Sequence, residues 1–111
     1  MSDDQIDPTS AVEYLLRTAS RHAKAKAERV YLEQFRKSKK AILMNDCQEK
    51  TAAAKEQYAY SHPDYLQLLD GLRVAVESEE TLRWKMVAAQ AKVEIWRTQS
   101  ANNRGIDRAT A

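Results

Sequence analysis

From Ser10 to Tyr60 the chain holds neither glycine nor proline. Such a stretch lacks the residue that breaks a helix and the residue that supplies the left-handed backbone of tight turns. The whole chain has only Gly71, Gly105, Pro8 and Pro63 to punctuate it. A β-sandwich, a barrel or a doubly wound α/β domain needs turn residues at short, regular intervals, so those classes are excluded. With 31% charged residues and abundant alanine, the remaining class is all-α.

The punctuation places the elements. Residues 1–9 have no apolar period and read as a flexible, acidic lead, the opposite of a signal peptide in charge. Pro8 suits a first helical turn, and Ser10 with Glu13 forms a capping box, so a first helix is expected over about 10–60. At 1.5 Å per residue it would reach about 75 Å. Asn45-Asp46 is its weakest point, because both side chains compete for backbone hydrogen bonds. Pro63 pushes His62 out of helical geometry, which sets a turn at about 61–64. A second helix follows to about 101, stopped by Asn102-Asn103-Arg104-Gly105, with 105–111 as a frayed tail. The expectation is a single helical domain over 10–104: a long antiparallel hairpin of two helices, or three if the chain breaks at Asn45-Asp46.

The second helix carries a 3,4 repeat. Its a-type positions are Tyr65, Leu72, Glu79, Met86 and Val93, and its d-type positions are Leu68, Ala75, Leu82, Ala89 and Trp96. Five heptads of this kind predict coiled-coil-like packing. A lone two-helix hairpin has a thin core, so Tyr65, Leu68, Leu72, Leu82, Met86, Val93 and Trp96 are expected at an oligomer interface. Glu79 interrupts the stripe, either wet or paired with a base. In the first helix Val12, Leu15, Leu16, Ala19, Ala23, Ala27 and Val30 share one arc of roughly 120°. From Tyr31 onward the apolar set moves to another side, with Leu32, Phe35, Ile42 and Leu43.

Charge is uneven along the chain. Residues 1–16 carry a net charge of −4, residues 17–40 +7 and residues 41–111 −1, within a total of +2. A basic block of this kind suits an anionic partner, although long exposed helices also use lysine simply for solubility. Arg36, Lys37, Lys39 and Lys40 lie within about a turn and a half of helix. Phosphate backbones reward such clusters by counterion release. Tyr31 and Phe35, four residues apart, have the spacing either to stack bases or to pack on each other. Arg17, Arg21 and Lys24 extend the basic side upstream.

Nothing in the sequence assembles a catalytic centre. His22 and His62 lie forty residues apart, Cys47 has no second cysteine, and no metal-ligand spacing occurs. Glu77, Glu79 and Glu80 are split between two sides of a helix. Two glycines cannot build a phosphate loop. The chain is therefore expected to be no enzyme and to need no cofactor or metal. A single cysteine fits a reducing cytoplasm, and no run of apolar residues is long enough to span a membrane.

These residues resemble a known family. The likeness lies in a helix with Tyr14 and spaced alanines, then Tyr31-Leu32 and the basic run Phe35-Arg36-Lys37-Ser38-Lys39-Lys40. The alanine-rich Ala52-Ala53-Ala54-Lys55-Glu56-Gln57-Tyr58 follows, before the break and the long last helix. Over roughly residues 10–104 this layout is similar to the small all-helical recombination mediators of tailed phages, the UvsY type. The resemblance implies a protein of a bacterial host's cytoplasm that binds single-stranded DNA, forms a homo-oligomer and helps load a recombinase onto strands covered by a single-strand-binding protein. It implies Arg36, Lys37, Lys39 and Lys40 as the strand-binding set. Two further readings compete with it: a helical adaptor or inhibitor that binds protein and no nucleic acid, and a structural coiled-coil spacer of a virion.

Overall fold

The computed structural model describes residues 6–110, and among them the only regular elements are three α-helices. They are α1 (Pro8–Asp46), α2 (Ala52–Ser61) and α3 (Pro63–Thr110). Residues 1–5 of the acidic lead lie outside the described residues. The fold is an all-α helical hairpin with α1 packed against α3. No helix is long and apolar enough to cross a membrane.

Each helix end follows from a local bond. Asp7, rather than Ser10, caps α1: its carboxylate accepts the Thr9 N–H at 3.0 Å and the Ser10 hydroxyl at 2.7 Å, and its carbonyl accepts the Ala11 N–H. Pro8 then takes the first helical position, where a missing N–H costs nothing. The single first helix expected over 10–60 is broken after Asp46. There the Cys47 N–H turns back to the Met44 carbonyl, and the Cys47 thiol accepts the Glu49 N–H. Thr51 restarts the helix, its hydroxyl accepting the Ala54 N–H at 3.1 Å. His62 ends α2 and opens α3 at once. Its N–H donates to the Ala59 carbonyl, and its Nδ1 accepts the Asp64 N–H at 3.0 Å.

The expected stop at residues 102–105 does not occur, and α3 continues to Thr110. Asparagine and glycine weaken a helix by up to about 1 kcal/mol each but remove no N–H donor, so the ladder survives them. Without a proline nothing forces it to end.

Two compact units make up the hairpin. One comprises the chain up to His22 together with Thr81 onward, and the other is Ala23–Glu80. The second holds the hydrophobic core, where Leu43, Ala59 and Tyr65 are buried with Met44 and Leu69 packed around them. In the first, Ala11, Thr18 and Ala89 are the buried residues.

The 3,4 repeat of α3 is its inward stripe. Every a and d position from Tyr65 to Val93 is buried or half-buried, and Trp96 is exposed. Of the residues expected at an oligomer interface, Tyr65 is buried and Leu68, Leu72, Leu82, Met86 and Val93 are half-buried within the single chain. The reason is that α1 is long enough to supply the facing stripe. That stripe also has a 3,4 period: Ala11, Leu15, Thr18, His22, Ala25, Arg29, Leu32, Arg36, Lys39 and Leu43 are all buried or half-buried.

The apolar arc of the first half of α1 lies largely outside. Val12, Leu16 and Val30 are exposed, Leu16 at 72%, as are Ala19, Ala23 and Ala27; Leu15 alone is half-buried. Long basic side chains explain the difference. Arg29, Arg36 and Lys39 lay aliphatic stems along the seam while their heads stay solvated or paired. Arg29 is the clearest case. Its Nη2 donates to Glu79 Oε1 at 3.1 Å, its Nε also reaches Glu79, and its Nη1 donates to Glu33 at 3.1 Å. Glu79 is therefore the paired interruption of the heptads, not a wet one. Its hydrogen bond and then that of Glu33 raise the Arg29 pKa further above its already high value.

Candidate nucleic-acid interface

The basic block continues along the last turns of α1 inside the unit Ala23–Glu80, the bend unit, which holds both helix joints. Arg36 and Lys40, four residues apart, lie on the side towards α2 and α3, while Lys37 is exposed beside them. The break at residues 47–51 turns the chain back, and the joint at His62 follows, so α2 and the start of α3 both meet these turns of α1. As a result Arg36, Lys37 and Lys40 line one cleft of about 440 Å³ with Tyr60, from the end of α2, and Tyr65, from the start of α3.

The aromatic wall is ordered by ring contacts. Tyr60 meets Tyr65 edge-on, with centroids 5.3 Å apart and planes at 70°. Tyr65 is buried, whereas Tyr60 is 45% exposed and offers its ring to the cleft. The Lys40 ammonium lies 4.7 Å from the Tyr60 ring centroid and donates to Glu56 Oε1 at 3.0 Å. The Tyr60 side chain and then the Glu56 carboxylate hold Lys40 above the ordinary lysine pKa. It stays a full cation at neutral pH.

The rest of the expected set is divided. Lys39 is half-buried outside the cleft and pairs with Asp64 at 3.7 Å. Tyr31 is exposed but does not line the cleft; it stacks on Phe35, with centroids 5.8 Å apart and planes 9° from parallel. Packing at i,i+4 is thus the observed use of that pair. Arg17 and Arg21 belong to the other unit, and Lys24 is exposed elsewhere on α1. Among the described residues, no carboxylate forms an ion pair with Arg36 or Lys37. Those two cations are the ones available to an outside anion.

Sequence reasoning missed Tyr60 and Glu56 and placed Tyr65 in an interface. Glu56 and Tyr60 meet Lys40 only through the break after Asp46, at a separation of 16 residues for Glu56. The available signals were Asn45-Asp46, which marks that break, and Pro63, which sets the start of α3.

Chemically, the cleft combines fixed positive charge with an exposed aromatic face and has no paired acid–base groups. Among the described residues no cluster of three histidine, cysteine or acidic side chains is placed to hold a metal ion. Neither protein-family models, nor curated proteins, nor solved structures give a match to this chain.

Proposed function

We propose that this chain is a non-enzymatic accessory protein of DNA recombination or replication that holds single-stranded DNA. The cleft of Arg36, Lys37, Lys40, Tyr60 and Tyr65 carries the reading. Two cations without ion pairs take phosphates, and the exposed Tyr60 ring gives an unstacked base a surface. A duplex keeps its bases stacked and has no use for such a ring.

A cleft with so few phosphate contacts binds weakly alone, so the same reading includes a homo-oligomer that adds up equal sites. With the α3 seam filled by α1, the surface suited to a second copy is the exposed arc of Val12, Leu16, Ala19, Ala23, Ala27 and Val30. The protein would act as a scaffold on the strand, offering it to a recombinase or meeting a single-strand-binding protein there. The exposed arc also supports the second reading, a helical adaptor without nucleic-acid binding.

A labelled oligodeoxythymidylate titrated at several salt concentrations tests the choice. Binding should weaken with salt, with a log–log slope of about 0.7 per phosphate contact. Arg36→Glu with Lys37→Glu should remove most of that slope while helicity and native mass stay unchanged. Absence of salt-dependent binding in the unmutated protein would leave the adaptor reading in place. Light scattering alongside should give at least twice the chain mass, lowered by Leu16→Asp.

A further inference from the structure

The unit formed by the chain up to His22 and Thr81 onward holds a second cavity, of about 590 Å³. Ala11, Ala88 and Ala89 make a floor of small apolar side chains, and Arg17, Lys85 and Lys92 stand around it. Lys85 and Lys92 are exposed and one heptad apart on α3, which separates their backbone positions by about 10 Å. Among the described residues none of these three cations is in an ion pair. Asp7, the one carboxylate among the described lining residues, is already used at the helix end by the Thr9 N–H and the Ser10 hydroxyl.

We propose that this cavity is a docking site for an acidic, amphipathic peptide segment of a partner protein, with an apolar side chain on the alanine floor and flanking carboxylates on Lys85 and Lys92. Charge complementarity sets the sign of the ligand, because among the described residues three cations without ion pairs stand around the cavity and its one acid, Asp7, is engaged. The floor sets its class. Small apolar side chains leave room for a leucine-sized group and reward its burial, whereas a nucleic-acid strand brings no aliphatic side chain to fill it. The one ring in the lining, Tyr14, is half-buried with the Arg17 guanidinium 6.0 Å from its centroid. One of its faces is thus already taken by a cation. Seen from the peptide, two carboxylates about 10 Å apart are what residues three apart in an extended chain provide, with an apolar side chain between them.

The test is fluorescence anisotropy of the full chain with a fluorescein-labelled hexapeptide that carries two aspartates three positions apart and leucines at its other positions. Saturable binding that weakens with salt is expected, and the matching asparagine–leucine peptide should not bind. Lys85→Glu with Lys92→Glu should lower affinity about tenfold, as two reversed exposed charges would. Both lysines are solvent-facing, so circular dichroism should show an unchanged fold, and the Lys85→Gln, Lys92→Gln pair repeats the test without charge reversal. Ala88→Leu, which fills the floor, should weaken the peptide while Lys37→Glu in the other unit leaves it alone. Equal binding of the neutral peptide, or full affinity in both lysine pairs, would overturn the proposal. So would displacement of the peptide by oligodeoxythymidylate that persists when Arg36 and Lys37 are replaced by glutamate, because the cavity would then be a nucleic-acid site.

Discussion

Among the described residues, the bend unit Ala23–Glu80 has a hydrophobic core, whereas the other, open-ended unit, built from α1 and α3 without α2, has none. In Ala23–Glu80 the short α2 lies between α1 and α3, and Leu43, Ala59 and Tyr65 bury one another there. Where α1 and α3 pair without a third helix, the buried residues are Ala11, Thr18 and Ala89, and larger side chains are half-buried at best. Two helices touch along a line, and a line removes little apolar surface from water. A third element turns that line into a volume. The difference also distributes possible roles: a firm frame for the basic–aromatic cleft at the bend, and a looser, alanine-floored cavity in the other unit.

The strongest way to break this contrast is to hollow the core. Leu43→Ala should cost about 2–5 kcal/mol in urea unfolding, the usual range for a buried leucine, whereas Leu15→Ala in the other unit should cost clearly less. Equal losses would mean that the two units share one core. Next comes the ion pair on the α1–α3 seam of the bend unit. Glu79→Ala should lower the melting temperature by several degrees, because Arg29 keeps only Glu33. Arg29→Met with Glu79→Leu should recover most of the loss, since a packed apolar pair often equals a partly buried ionic one. No recovery would show that the seam needs the pair for register.

A smaller effect sharpens the reading of the cleft. Glu56→Gln frees Lys40 from its carboxylate, so oligodeoxythymidylate should bind a few-fold more tightly, with a salt slope steeper by about 0.7. Unchanged binding would remove Lys40 from the site. The smallest effect belongs to the open-ended unit. The Ser10 hydroxyl, the Ser10 N–H and then the Thr9 N–H hold the Asp7 carboxyl below its ordinary value of 3.8. A carboxyl lowered by folding stabilises the helix start above that value and ceases to do so as pH falls through the lowered one. Acidification below about pH 4 should therefore speed amide exchange in the first turn of α1 while leaving the amides around Leu43 protected. Uniform loss of protection would argue against a separate cap.

How much the sequence disclosed follows the same division. Pro63 and the 3,4 repeat of α3 announced where α3 starts and which stripe faces inward, because both signals are local. The facing stripe of α1 was hidden, since Thr18, His22, Arg29, Arg36 and Lys39 occupy half its positions and look like surface residues. The Val12–Val30 arc was easier to see and lies largely outside. Hydrophobic periodicity reports where apolar residues cluster, and a seam lined by long basic stems escapes it. In the cleft, the cations were readable from their spacing. Tyr60 and Glu56 were not, because only the reversal of the chain brings them to Lys40.

The joint at His62 has a genetic consequence. A single residue, His62, separates the last position of α2 from the first of α3. One inserted or deleted residue there would turn the start of α3 by about 100° about its own axis and swing Tyr65 and Leu68 off the core. The same change between Cys47 and Lys50 falls in a linker with slack to absorb it. Length variation among related chains should accordingly gather at the first joint and be missing from the second, which makes His62-Pro63 a fixed phase mark along an otherwise variable pattern.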